Sequence, residues 1–387
     1  MIAYNEQWLN NLHIQDEANR AFESDCIGKE EKEQIWDAYP AGFYSPNFFV
    51  RIGLFILTCI IVQFSLGLLG LVIFSAFDNE DIGGLFIVYG LLVYAGLEFM
   101  VRKKHYKSGV DDALMWMAAG AVIGGINAVA DVSWLANAFL ILILSGYFFV
   151  RFANVIMAGI AFIAFIAVVF LCFIRLGPIA KATTPFLIMV VTGLLYLGIK
   201  QFLKKKPVAP YTTGLTVMCI AALICFYVAG NYYVVREASI AMFKLDLQEN
   251  ESIPLGWLFW ILTIIIPVIY IGRGIQKKDP VLLRVGLLLV AGVVFTIRYY
   301  YHVLPAETAM VIGGIFFIAL SYFVTRYLHE AKYGFTHKES KDAFFMDKLQ
   351  VESLVIAQTF SSPQTPADTG PQFGGGSGGG GGATGEF

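Results

Sequence analysis

Residues 52–77 read IGLFILTCIIVQFSLGLLGLVIFSAF, 26 residues without a charge. A helix of about 20 apolar residues crosses the roughly 30 Å hydrocarbon core of a bilayer, so this stretch is a spanning segment. The pattern repeats downstream. From residue 52 to residue 327, nearly every window of that length is apolar enough to cross. The expected fold is therefore an all-α polytopic membrane bundle of about ten transmembrane helices. A small helical N-terminal region precedes it and a disordered Gly-rich tail follows.

Composition agrees. The 387-residue chain is 57% hydrophobic and only 14% charged, with a mean hydropathy of +0.67. A soluble domain carries about 25% charge. The deficit is what lipid demands, because a charge in hydrocarbon is costly unless it is paired or reaches the interface. The net charge of −2 identifies no partner, because the charges are segregated along the chain. Cys26, Cys59, Cys172, Cys219 and Cys225 include no CxxC pair, and read as small apolar residues.

Ten spans are expected, at about 52–77, 83–101, 112–129, 133–150, 154–174, 184–203, 209–230, 255–273, 281–301 and 307–327. Polar joints separate them: Asp78–Asp81, Arg102–Lys104, Lys204–Pro207 and Lys277–Pro280. Residues 134–174 are too long for one crossing, which places a hairpin near Arg151. The motif Thr183-Thr184-Pro185 reads as the cap of the sixth span, and Pro267 as a kink in the eighth. Residues 1–47 form an acidic soluble head with two short amphipathic helices, around Trp8, Leu9 and Leu12 and around Ile35, Trp36 and Tyr39. In the long loop 231–254, Ile240, Phe243 and Leu247 recur at helical spacing. Residues 328–360 form an amphipathic extension. Residues 361–387, rich in Ser, Pro and Gly, are expected to be disordered.

Orientation follows from Lys and Arg. With the head in the cytoplasm, the inner connections hold Arg102, Lys103, Lys104, Lys107, Arg151, Lys200, Lys204, Lys205, Lys206, Arg273, Lys277 and Lys278. The outer ones hold only Arg175, Lys181, Arg236 and Lys244. The positive-inside rule then places both termini in the cytoplasm.

Chemistry in such a chain is sought among polar groups at membrane depth. Glu98, Asp111, Asp112 and Arg284 form a candidate inner cluster. It reads as a cation or proton site. It also reads as structure: Glu98 and Arg102 are one turn apart, the aspartates suit a helix N-terminus, and Arg284 can reach the interface. Among these, Asp111 or Asp112 is expected to pair with Arg102, Lys103 or Arg284. Arg298, Tyr299, Tyr300 and His302, with Asp131, form a candidate outer cluster. It reads as a grip on an anion or as an aromatic belt. Gly120 with Gly124, and Ala121 with Gly125, satisfy the pattern for close helix packing. No HExxH or Walker loop occurs, and the glycine tail follows no strand and holds no Lys, so no cofactor, metal or reaction is expected. Nucleic acid is not expected as a partner either.

The acidic head, the series of spans and the segment Tyr299-Tyr300-Tyr301-His302-Val303-Leu304, leading to Gly313, Gly314 and Arg326, resemble a group of bacterial multi-pass membrane proteins of unknown function. That resemblance implies a polytopic fold in a bacterial inner membrane and no activity. The tail is similar to the Gly-rich ends of TPM-domain proteins in Gly379–Gly382, Ala383, Thr384, Gly385 and Phe387, with Glu386 inserted before the aromatic. An aromatic beside a free carboxylate is what a capture pocket can read, so Glu386 and Phe387 are candidate docking residues for a protein partner. Together these features point to a non-enzymatic interaction platform or sensor working through head and tail. The rival reading is a transporter or channel for a small solute or ion.

Overall fold

A computed structural model describes residues 2–23, 26–74, 82–205, 209–243 and 252–300, together with Ile315, Ile318, Tyr322 and Arg326. The described elements are helical: α1 (Glu6–Glu23), α2 (Lys29–Ala38), α3 (Phe48–Phe74), α4 (Ile82–Arg102), α5 (Val110–Val129), α6 (Trp134–Phe152), α7 (Val155–Ile174), α8 (Pro178–Lys205), α9 (Thr212–Gly230), α10 (Tyr232–Phe243), α11 (Gly256–Lys277) and α12 (Pro280–Tyr300). Nine of them are long and apolar enough to cross a membrane: α3 to α9, α11 and α12. The chain is a polytopic helical bundle. The tenth expected span, at 307–327, lies outside the described residues apart from four helical positions, and so do the extension 328–360 and the tail 361–387.

Short connections make sequence neighbours antiparallel partners. Thus α4 packs on α5, α6 on α7, α8 on α9 and α11 on α12. The hairpins join sideways: α3 lies on α5, α7 on α8 and α9, and α9 on α11 and α12. Side chains such as Phe64, Leu71 and Ile163 stand 76%, 77% and 63% exposed, as a surface that meets lipid rather than water requires.

The hairpin near Arg151 is present. Helix α6 stops at Phe152, Ala153 takes a left-handed conformation (φ 50°), and Asn154 caps α7 by accepting from the Ile156 and Met157 N–H groups. Two expectations change. Helix α8 begins at Pro178, so Pro185 lies inside it and Thr183-Thr184-Pro185 is no cap. The Thr183 and Thr184 hydroxyls instead donate to the Ala180 carbonyl, one turn back, at 3.2 and 2.8 Å. The close α4–α5 contact uses Gly125 but not Gly120 or Gly124, which face open space. Its other half is Gly83 and Gly90 on α4. A Cβ at Gly83 would lie 2.8 Å from the Gly125 carbonyl oxygen, and one at Gly125 2.7 Å from that of Gly83.

The head also departs from expectation. Its two helices are present, but it does not stand apart as a soluble unit. Residues 2–9 are built into one end of the bundle, where Tyr4 and Leu9 are 6% and 5% exposed. Below, this end is the head end and the other the far end.

Candidate functional site

At the head end the described residues assemble a polar junction among five helices. It starts from a close approach. Gly109, just before α5, has φ 91°, and a Cβ there would sit 2.1 Å from the Arg51 carbonyl oxygen. Glycine alone tolerates both the conformation and the contact. This brings α3 against the start of α5, and Arg51 Nη2 meets Asp112 Oδ2 at 2.5 Å. Asp112 accepts a second bond from Asn154 Nδ2 at 2.9 Å, so the residue that caps α7 also ties it to α5.

Asp111 is 3% exposed and is satisfied differently. The Lys107 N–H, Ser108 N–H and Ser108 hydroxyl donate to its carboxylate at 2.8, 2.8 and 3.0 Å, and the Tyr4 hydroxyl lies 3.4 Å away. A buried carboxylate without donors is costly; this one closes the turn that leads into α5 and suits the positive end of the helix. Burial, then the nearby Asp111 charge, holds the Tyr4 hydroxyl well above the usual tyrosine pKa.

Glu98 reaches across the bundle. Arg151 Nε and Nη2 meet its two oxygens at 3.0 and 3.1 Å, while the Tyr94 hydroxyl donates to it at 2.6 Å and touches the Tyr147 hydroxyl at 2.5 Å. The Arg151 backbone carbonyl in turn accepts from the Ala3 N–H at 2.7 Å. The same arginine therefore joins α4, α6 and the N-terminal segment.

An aromatic cluster seals the junction. The Tyr4 ring lies 4.9 Å from Tyr106 and 6.0 Å from Phe43, and Trp8 lies 5.2 Å from Phe43. Lys104 Nζ sits 4.9 Å above the Trp8 ring, within cation–π range. The Tyr44 N–H donates to the Lys104 carbonyl and the Tyr106 N–H to the Tyr44 carbonyl, strapping the head's connector to the α4–α5 turn.

The expected inner cluster is thus corrected in its partners. Glu98 pairs with Arg151 rather than with Arg102, and Asp112 with Arg51 rather than with Arg102, Lys103 or Arg284. Arg284 belongs to α12, which packs on α11 and α9 rather than on α4 or α5. Of the partners, Arg151 was visible only as a joint. Tyr94, one turn before Glu98, and Asn154, before an apolar run, carried local signals. Arg51 and Tyr4 carried none.

At the far end, Tyr299 and Tyr300 join an aromatic group with Tyr232, Tyr233 and Trp260; Tyr233 and Tyr299 are 4.7 Å apart and Tyr232 stacks on Trp260 at 4.8 Å. The arginine over this group is Arg236 of α10, 7% exposed and 5.5 Å from the Tyr300 ring. Arg298 is half-buried on α12, and Asp131 is exposed on the α5–α6 connection. No main helix packing joins α5 or α6, which flank Asp131, to α12, which carries Arg298. His302, Glu386 and Phe387 lie outside the described residues. Among the described residues no group of His, Cys, Asp and Glu is arranged to hold a metal ion. Comparison of the chain with protein-family models, with curated proteins and with solved structures finds no match.

Proposed function

We propose that this chain is a non-enzymatic interaction platform or sensor of a bacterial inner membrane, with head and tail in the cytoplasm. One observation carries the reading: the head is wired into the bundle. The Ala3–Arg151 backbone bond and the Tyr4–Asp111 contact attach the first residues to the groups that hold α3, α4, α5, α6 and α7 together. A change in helix packing would reach α1, and a partner pulling on α1 would reach the bundle. The placement of charge favours this reading over transport. In the nine described spanning helices every Asp, Glu, Lys and Arg lies within five residues of a helix end. A transporter places polar groups or broken helices near mid-membrane. The tail, residues 361–387, would be a second docking element, ending on Glu386 and Phe387.

The test is crosslinking in native membranes followed by co-purification. Intact chain is compared with Tyr4→Ala and with a truncation after Pro371. The reading expects inserted, monodisperse protein in all three and loss of specific neighbours in the variants. Identical neighbours in all three, together with solute flux in reconstituted vesicles, would replace it with the transport reading.

A further inference from the structure

Away from the junction, α8, α9, α11 and the start of α12 leave a cavity of about 480 Å³ toward the head end. Its walls are Gly193, Leu197, Leu223, Phe226, Ile269 and neighbouring apolar surface. Its mouth is different. Lys200 and Lys204 stand one turn apart on α8, Arg273 and Lys277 one turn apart on α11, and all four line the cavity beside Gln201, near the ends of these helices. Lys200 is matched internally, pairing with Asp279 and donating to the Tyr196 hydroxyl. Lys204, Arg273 and Lys277 are exposed, and no carboxylate among the described residues is within ion-pair reach of them.

We infer that this cavity is a binding site for an anionic phospholipid, with an acyl chain between α8 and α11 and the phosphate among Lys204, Arg273 and Lys277. The argument is charge and shape together. An apolar slot between spanning helices, within the size range of ligand sites, takes a hydrocarbon chain. Basic side chains at its interfacial end take the headgroup, the known arrangement of basic pockets between spanning helices. A free phosphate ion would satisfy the mouth and leave the slot unused. A neutral lipid would fill the slot and leave three cations without a partner among the described residues. The inference requires only that these helices span a bilayer, and is independent of which compartment holds the head.

The experiment is native mass spectrometry of the full chain in detergent, titrated with phosphatidylglycerol, phosphatidylcholine or inorganic phosphate. The variants are Lys204→Gln/Arg273→Gln/Lys277→Gln, Leu197→Trp to fill the slot, and Arg102→Gln/Lys103→Gln as a control for charge lost elsewhere at the head end. Phosphatidylglycerol should be retained by the intact chain and by the control. Its affinity should fall about tenfold or more in the triple variant, on the scale of the attraction per basic residue near a charged surface. Leu197→Trp should lower retention with every charge still present. Equal binding of phosphatidylcholine, full displacement of phosphatidylglycerol by added phosphate, or unchanged retention in either the triple variant or Leu197→Trp would each overturn the assignment.

Discussion

Arg151 and Glu98 meet side by side across α6 and α4, with two nitrogen–oxygen contacts of 3.0 and 3.1 Å, although 53 residues separate them. The side chains are 31% and 19% exposed, so the pair is partly shielded from water. Its geometry is the two-pronged one in which arginine is strongest. Glu98→Gln should cost about 1.5–3 kcal/mol, the range for a hydrogen bond to a charged group. Arg151→Gln should cost a similar amount, and the double variant less than the sum. Thermal unfolding in detergent, run as a double-mutant cycle, checks this. Strict additivity would mean that the pair contributes no coupling.

Gly109→Ala tests the approach of α3 to α5. The new Cβ would lie 2.1 Å from the Arg51 carbonyl oxygen, on a residue with φ 91°. Strain alone costs about 1–3 kcal/mol at such a position, and the contact forces α3 outward in addition. Gly120→Ala is the reference, because Gly120 faces open space on the same helix. Replacing that glycine should stabilise by about 0.4–1 kcal/mol. Equal unfolding temperatures for the two variants would refute the close contact.

How far the sequence could reach is plain from these two sites. Span positions were legible because a helix in lipid must satisfy its own backbone and show apolar side chains, and both requirements act locally. The hairpin at Arg151 was legible for the same reason, since forty apolar residues do not fit one crossing. Partner choice was not. Asp112 pairs with Arg51, 61 positions upstream, because α3 rather than α12 packs on α5. No periodicity within α5 encodes that neighbour. The far end shows the same limit: Arg298 announced itself beside three tyrosines, yet the arginine over Tyr300 is Arg236, delivered by α10.

The head should loosen at alkaline pH in a way that depends on one hydroxyl. The folded-state pKa of Tyr4 is raised above its unfolded value of about 10, first by burial and then by Asp111. Its contribution is therefore fully present below about pH 10 and is lost as pH rises through the folded value. Tyr4→Phe keeps the ring against Tyr106 and Phe43 and removes the ionisation. Between pH 8 and pH 11, proteolysis of residues 2–23 should accelerate more in the parent chain than in Tyr4→Phe. Equal acceleration would show that Tyr4 does not control alkaline release.

Orientation is the remaining prediction, and single-cysteine chains decide it. Cys26 is exposed in the head, and Asp131 is exposed on the α5–α6 connection at the far end. The two positions lie on opposite sides of the membrane in any arrangement in which α3 to α9 span it. Basic residues concentrate at the head end: Arg102, Lys103, Lys104 and Lys107 at and after the end of α4, Lys200 and Lys204 on α8, Arg273 and Lys277 on α11, and Lys278 just after it. The far end holds fewer, among them Arg175, Arg236 and Arg298. Excess Lys and Arg in short loops stays on the cytoplasmic side during insertion. In intact cells an impermeant maleimide should therefore label a chain whose single cysteine is Asp131→Cys and leave one with only Cys26 unlabelled. After the membrane is opened, both should react. Labelling of Cys26 from outside would reverse the orientation, and with it the placement of head and tail in the cytoplasm.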